Sequence, residues 1–369
     1  VYIARVSEVL DPVASVRSLA ARVSNLPQLT GDIPRVQGEL KQRPEDFVVE
    51  ELPAYPPAGT GEHLYLWVEK RELNTQDAVA RIAQALGTRP DGAGYAGLKD
   101  KRAVTRQWLS FHHAGTPEPS EIVVEGVRVL AVSRHVNKLR TGHLRGNRFT
   151  VRLTGVPSEH DDHARAALAR LVEQGLPNYY GAQRFGFEGK NLRSAWTWIV
   201  EGGRPPSKPF LRKLFVSTLQ SALFNAWLGD RIEAGELLCA LEGDILRKEE
   251  SGGLFACTDA ALDTERVRSW EISATGPMFG ARMRSAEATA LARELALLDR
   301  FGVRAEHFAR VERSGEGTRR PSRARVSDVE QQRDGDDLVL SFTLPKGSYA
   351  TVLLAELTKT DTLTLGDDP

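Results

Sequence analysis

Cysteine is nearly absent: Cys239 and Cys257 are the only two in 369 residues. A disulfide framework is excluded, and a zinc cage built from cysteines lacks ligands. Two buried free thiols in a reducing cytoplasm are the expected state. Long apolar runs are missing as well, so no membrane-spanning helix is expected. The opening Val1-Tyr2-Ile3-Ala4-Arg5 leads into mixed charged sequence without an apolar signal-peptide core. Net charge is missing too, with 49 Lys and Arg against 49 Asp and Glu. Global charge therefore points to no polyanionic partner.

What is present is ordinary in kind and uneven in placement. Hydrophobic residues make up 41% and charged residues 27% of the chain, the balance of a globular protein. The length exceeds one small core and implies two domains, or one domain with a large insertion. Segment 134–152 carries six cations, Arg134, Lys138, Arg140, Arg145, Arg148 and Arg152, and no Asp or Glu. Lys99, Lys101, Arg102 and Arg106 surround the single acid Asp100, and a third cluster holds Arg313, Arg319, Arg320, Arg323 and Arg325. Basic stripes on a neutral protein fit an RNA track. Solvated loops are the plain alternative for any one cluster.

Periodicity predicts an α/β (α+β) protein, with a mixed, mostly antiparallel sheet and helices, interrupted by a large helical insertion. In 63–68, Leu64, Leu66 and Val68 share one face of a strand. Residues 74–86 form a helix capped by Asn74 or Thr75, with Val79, Ile82, Ala83 and Leu86 as its apolar stripe. Further strands are expected at 95–98, 107–111, 122–132 and 149–153. A helix over 158–174 turns Leu168, Leu171 and Val172 inward. After Pro177, helices at 211–228 and 286–298, the latter capped by Ser285, alternate with Gly- and Pro-rich breaks. Asp334-Gly335 joins a hairpin, and a last helix covers 349–359.

The stretch Gly94-Tyr95-Ala96-Gly97-Leu98-Lys99-Asp100-Lys101-Arg102-Ala103 is the most informative. It places one carboxylate among cations in a tight loop between strands. Such a carboxylate serves as a nucleophile or base rather than as an acid. Ordinary surface ion pairs are the alternative. This wording closely resembles the catalytic loop of the TruD family of tRNA pseudouridine synthases. Four more segments resemble that family in the same order. They are Lys41-Gln42-Arg43-Pro44-Glu45-Asp46-Phe47, Leu144-Arg145-Gly146-Asn147-Arg148-Phe149, Pro177–Gly186 (Pro-Asn-Tyr-Tyr-Gly-Ala-Gln-Arg-Phe-Gly), and Leu344-Pro345-Lys346-Gly347-Ser348-Tyr349-Ala350-Thr351.

The resemblance spans about residues 27–360 and implies specific roles. Asp100 matches the catalytic Asp, and Lys41 matches a basic residue that pairs with it. Phe149 matches an aromatic residue packed on the target uracil, with Asn147 beside it. Phe47 and Tyr349 match two substrate-contacting aromatic positions, the second a departure because related bacterial sequences carry Phe there. The implied architecture is a pseudouridine-synthase-like catalytic domain over 35–177 and 321–369. It carries an inserted α/β domain of the TRUD type over 178–320 and an extension over 1–34.

The implied reaction is isomerisation of uridine to pseudouridine, at position 13 of tRNA by family expectation, with the target base flipped into a pocket. No redox or hydrolytic step occurs, so no cofactor and no metal is expected. The histidine pairs His112-His113 and His160/His163 lack a matching ligand set. The expected partner is tRNA, without membrane, and the expected state is a cytoplasmic monomer. A non-catalytic tRNA-binding protein or chaperone is the main alternative and has no need of Asp100. A carboxylate hydrolase is a second alternative, but it wants two cooperating acids. For Phe149→Ala the uracil-stacking role implies a near-normal thermal midpoint with a large fall in turnover. An ordinary place in the strand core implies the reverse.

Overall fold

The computed structural model describes residues 12–40 and 42–360, which gather into two compact units. The first is Pro34–Val172 with Arg325–Ala350. The second is Glu173–Ala324, with the flanking stretches up to Ile33 and from Thr351. The motif-based division instead kept 1–34 apart and gave 321–369 to the catalytic part.

The first unit is built on a nine-stranded sheet. In chain order its strands are β1 (Glu39–Leu40), β2 (Phe47–Pro53), β3 (His63–Arg71), β4 (Gly94–Tyr95), β5 (Val104–His112), β6 (Val127–His135) and β7 (Leu144–Thr154). The hairpin Ser327–Asp334 and Asp337–Pro345 completes it. Across the sheet the order is hairpin, β7, β2, β5, β3, β6, with β1 on β7 and β4 on β5. Among the described residues every pairing is antiparallel except β2 with β5.

The register aligns one face across five strands. Val49 lies opposite Phe149 and Thr105, Phe149 opposite Phe342, and Thr105 opposite Lys70. Because side chains alternate along a strand, three rows share that face: Phe47, Val49 and Glu51; Leu64, Leu66, Val68 and Lys70; Gln107, Leu109 and Phe111. Helix α2 (Thr75–Ala85) sets Val79, Ile82 and Ala83 against the apolar members of the last two rows. Asn74 caps it, its Oδ1 accepting from the Asp77 N–H at 2.8 Å.

Local readings shift where tertiary pairing overrides pattern. Helix α3 (Asp161–Gln174) buries Ala164, Ala167, Leu168 and Leu171, and Val172 falls past the edge of that stripe at 41% exposure. The strand expected at 95–98 pairs only at Gly94–Tyr95, because the following backbone is held by side chains instead. The strand expected at 122–132 is Val127–His135.

In the second unit, α5 (Pro209–Glu233) packs with α1 (Pro12–Ser24), α4 (Lys190–Ile199) and the central strand Ile272–Met278 of a four-stranded antiparallel sheet. The helix Ala288–Arg300 starts after Glu287 rather than at Ser285. The basic cluster 313–325 is largely consumed here. Arg319 is buried against Glu294, Arg320 lies 4.0 Å over the Tyr180 ring, and Arg323 lies 3.7 Å over Trp270. Folding, not RNA, accounts for these three. Both cysteines are free, Cys257 buried and Cys239 partly exposed. Among the described residues no helix is long and apolar enough to cross a membrane.

Candidate active site

Three rows on the shared face carry a polar residue where the period asks for an apolar one: Glu51, Lys70 and Gln107. All three are buried. They meet, with Thr75 from the start of α2, beneath the loop that carries Asp100. Gln107 Nε2 donates to the Gly97 carbonyl at 3.1 Å. Thr75 Oγ1 accepts from the Lys99 N–H and donates to Gln107 Oε1, both at 3.0 Å. Lys70 Nζ donates to the carbonyls of Leu73 at 2.6 Å, Asp100 at 2.9 Å and Lys99 at 3.4 Å. The loop backbone is thus anchored from below at Gly97, Lys99 and Asp100.

Glu51 serves the same loop from β2. Past Glu50, β2 leaves β5, and β4 takes over at Leu109. In the gap the Glu51 carboxylate accepts the Trp108 N–H at 3.3 Å and the Lys99 ammonium at 2.9 Å. Burial pushes the Glu51 carboxyl up, and Lys99 opposes that shift. Burial pushes the Lys70 ammonium down to about 8, with Asp100 pulling it up and Lys99 pushing it further down.

Asp100 itself is exposed, next but one to Leu98, which is 64% exposed. The four cations expected around it divide in two. Lys99 is buried on Glu51, and Arg106 pairs with Glu50 at 3.1 Å and Glu69 at 3.0 Å on the opposite face of the sheet. Lys101 and Arg102 are the exposed pair.

Asn147 stands opposite Glu51 on β7. Its Oδ1 is buried and without a hydrogen-bond partner among the described residues. Phe149, 6% exposed, stacks on Phe342 at 5.4 Å and meets Phe47 edge-on at 6.2 Å. Phe47 is 1% exposed. Gly146 permits this pairing, since a Cβ there would lie 2.2 Å from the Leu344 carbonyl oxygen. Tyr349 is half-buried, just before the helix Ala350–Thr358. Lys41 lies outside the described residues.

The family profile of tRNA pseudouridine synthase D (TruD) matches residues 25–203 and 207–357. The chain belongs to the TruD family. It is 48% identical to tRNA pseudouridine synthase D of Anaeromyxobacter sp. (strain Fw109-5), over 91% of this chain and 97% of that protein. Identity to a Thermus thermophilus protein of the same name is 42%, over 94% of this chain and 95% of that one. A crystal structure assigned to tRNA pseudouridine synthase D from Methanosarcina mazei superposes with a TM-score of 0.74 at 25% identity. It covers 94% of this chain and 99% of that one.

Within this TruD-family fold, the basic stripe 134–152 is mostly structural. Arg134 donates to Thr116 and to the carbonyls of Gly61, His113, Ala114 and Gly115. Arg148 pairs with Glu330, Arg152 with Asp334 and Asp337, and Arg145 donates to the Pro53 carbonyl. Only Lys138 and Arg140 of the six have side chains without a hydrogen bond or ion pair among the described residues.

Burial also changes the expected outcome at Phe149. Removing a ring held between Phe47 and Phe342 leaves a cavity, so Phe149→Ala is expected to cost about 3–5 kcal/mol of stability. Urea denaturation checks this. A midpoint near wild type would mean that the ring is not part of the core.

Proposed function

We propose that this chain isomerises uridine to pseudouridine in tRNA, at position 13 by family expectation, with Asp100 as the catalytic carboxylate. The observation that carries this reading is the exposed Asp100 on a loop whose backbone is fastened from below by Lys70, Thr75 and Gln107. A carboxylate carried on a fixed backbone suits attack on a bound nucleotide, because a reaction between held groups avoids the entropy of bringing them together. The N-glycosidic bond breaks, the uracil turns, C5 bonds to C1′, the C5 hydrogen leaves as a proton, and N1, freed from the sugar, takes up a proton. The atoms balance without an external oxidant or reductant.

The target base leaves its stack to reach Asp100. In this reading Oδ1 of Asn147, buried and without a partner among the described residues, accepts the uracil N3–H. Tyr349 presents aromatic surface to the base, and Phe149, held between Phe47 and Phe342, offers it only the small part of the ring that packing leaves open. Lys41 is carried over from the family resemblance as the basic partner of Asp100. The protein works as a cytoplasmic monomer.

The test is to incubate purified protein with an unmodified tRNA transcript and map pseudouridine. The expected result is one modified uridine, with activity that survives exhaustive chelation. Chelator-sensitive activity restored by zinc would overturn the cofactor-free reading. Tight tRNA binding without isomerisation would establish the non-catalytic alternative.

A further inference from the structure

Beside the anchored loop lies a groove of about 400 Å³ that the reaction does not use. Its volume falls within the range of roughly 300–1,000 Å³ seen for small-molecule sites. Its walls are the rings of Tyr55, His135 and His143, and Pro56, Asn137, Lys138 and Arg140 complete the lining. Tyr55 stacks on His135 at 5.0 Å and meets His143 edge-on at 5.6 Å, with its hydroxyl 2.7 Å from His143 Nδ1. The Ala58 N–H donates to His135 Nδ1 at 3.1 Å, and the Tyr65 hydroxyl donates to the Asn137 carbonyl at 2.9 Å. The aromatic walls are therefore locked in place.

The groove and the Asp100 loop are joined. The Gly142 N–H donates to the Ala96 carbonyl at 2.8 Å, and the Leu139 N–H donates to Ser110 Oγ at 3.0 Å. Gly94 sits so close that a Cβ there would lie 2.2 Å from the Leu139 carbonyl oxygen. Lys138 and Arg140 are the two cations of the stripe whose side chains have no hydrogen bond or ion pair among the described residues. Rings with cations at their edge are the chemistry of a nucleotide site: a base takes the aromatic surface and its phosphate takes the charge.

We propose that this groove holds a second, unpaired nucleotide of the substrate RNA while the target uridine lies at Asp100. The proposal rests on the reading of the protein as a tRNA-modifying enzyme and adds a subsite to it. Binding of an unmodified tRNA transcript measures it, as a function of salt. Lys138→Gln with Arg140→Gln is expected to weaken binding about tenfold and to flatten the salt slope by about 1.5, since each phosphate contact releases a counterion. Tyr55→Ala is expected to weaken binding about tenfold with the slope unchanged, and Tyr55→Phe to restore it, because stacking needs the ring and not the hydroxyl. In an activity assay the loss falls on KM rather than kcat.

Unchanged affinity and slope in the charge variant would overturn the subsite. A loss confined to the charge variant would reduce it to a phosphate contact and overturn the stacked base. Both of these overturning outcomes are read from tRNA binding and its salt dependence, without an activity measurement. A wild-type protein that binds tRNA without isomerising it would defeat the proposed activity and not the groove.

Discussion

Asp100→Asn is expected to lower the rate of uridine isomerisation by about a thousandfold or more, the scale on which removal of a nucleophile acts. Release of C5 hydrogen from labelled tRNA measures the rate. The same variant is expected to melt within about 0.5 kcal/mol of wild type, because the side chain is exposed and the change is isosteric. Its backbone carbonyl, the group that Lys70 holds at 2.9 Å, is untouched. Affinity for tRNA should change little for the same reason. Substantial turnover in this variant would remove Asp100 from the chemistry. Loss of binding together with turnover would make it a structural residue of the loop.

How much of this was legible in the sequence depends on distance along the chain. Helix α2 and its Asn74 cap, the Asp334-Gly335 hairpin and the mostly antiparallel sheet follow from local period and turn chemistry. The family loop around Asp100 was legible from its wording. The fate of the basic clusters was not, because it depends on partners that register alone supplies. Arg152 meets Asp334 and Asp337, Arg319 meets Glu294, and Arg106 meets Glu50 and Glu69. A run of cations with no acid nearby in sequence reads as a free surface, although its acids arrive from other strands and, for Arg319, from a helix.

The polar support beneath the loop was missed for a different reason. Its signal was present: in the row Leu64, Leu66, Val68 the next core-facing position is Lys70, and Gln107 precedes Leu109 and Phe111 in the same way. A charged residue in apolar phase is costly to bury unless it is paired, so it marks a place where the fold needs a donor. Following the alternation one step past Val68 finds it. The Glu51–Lys99 pair carries the same mark, since Glu51 continues the row of Phe47 and Val49.

Lys70→Met is expected to separate stability from activity. In the fold, burial lowers the ammonium to about 8, against an ordinary value of 10.5. Between those values the unfolded chain binds a proton that the folded chain has lost. Wild-type stability therefore gains as pH rises from about 8 toward 10.5, and that gain is absent below 8. Turnover moves the other way. The ammonium has three donors for the carbonyls of Leu73, Lys99 and Asp100, whereas the neutral amine has two. Wild-type kcat should therefore fall as pH passes about 8. Methionine removes the titration, so both the rise in stability and the fall in kcat centred near 8 should vanish. At pH 7 two effects on stability oppose each other. A desolvated charge is gone, and buried acceptors lose their donor at about 1–3 kcal/mol each. Turnover has no such compensation, because a loosened loop misplaces Asp100, and a misplacement of about 1 Å costs on the order of a hundredfold. Denaturation and single-turnover rates across pH 6–10 measure both. A Met variant that keeps wild-type turnover, or keeps the alkaline fall near 8, would show that Lys70 only fills space beneath the loop.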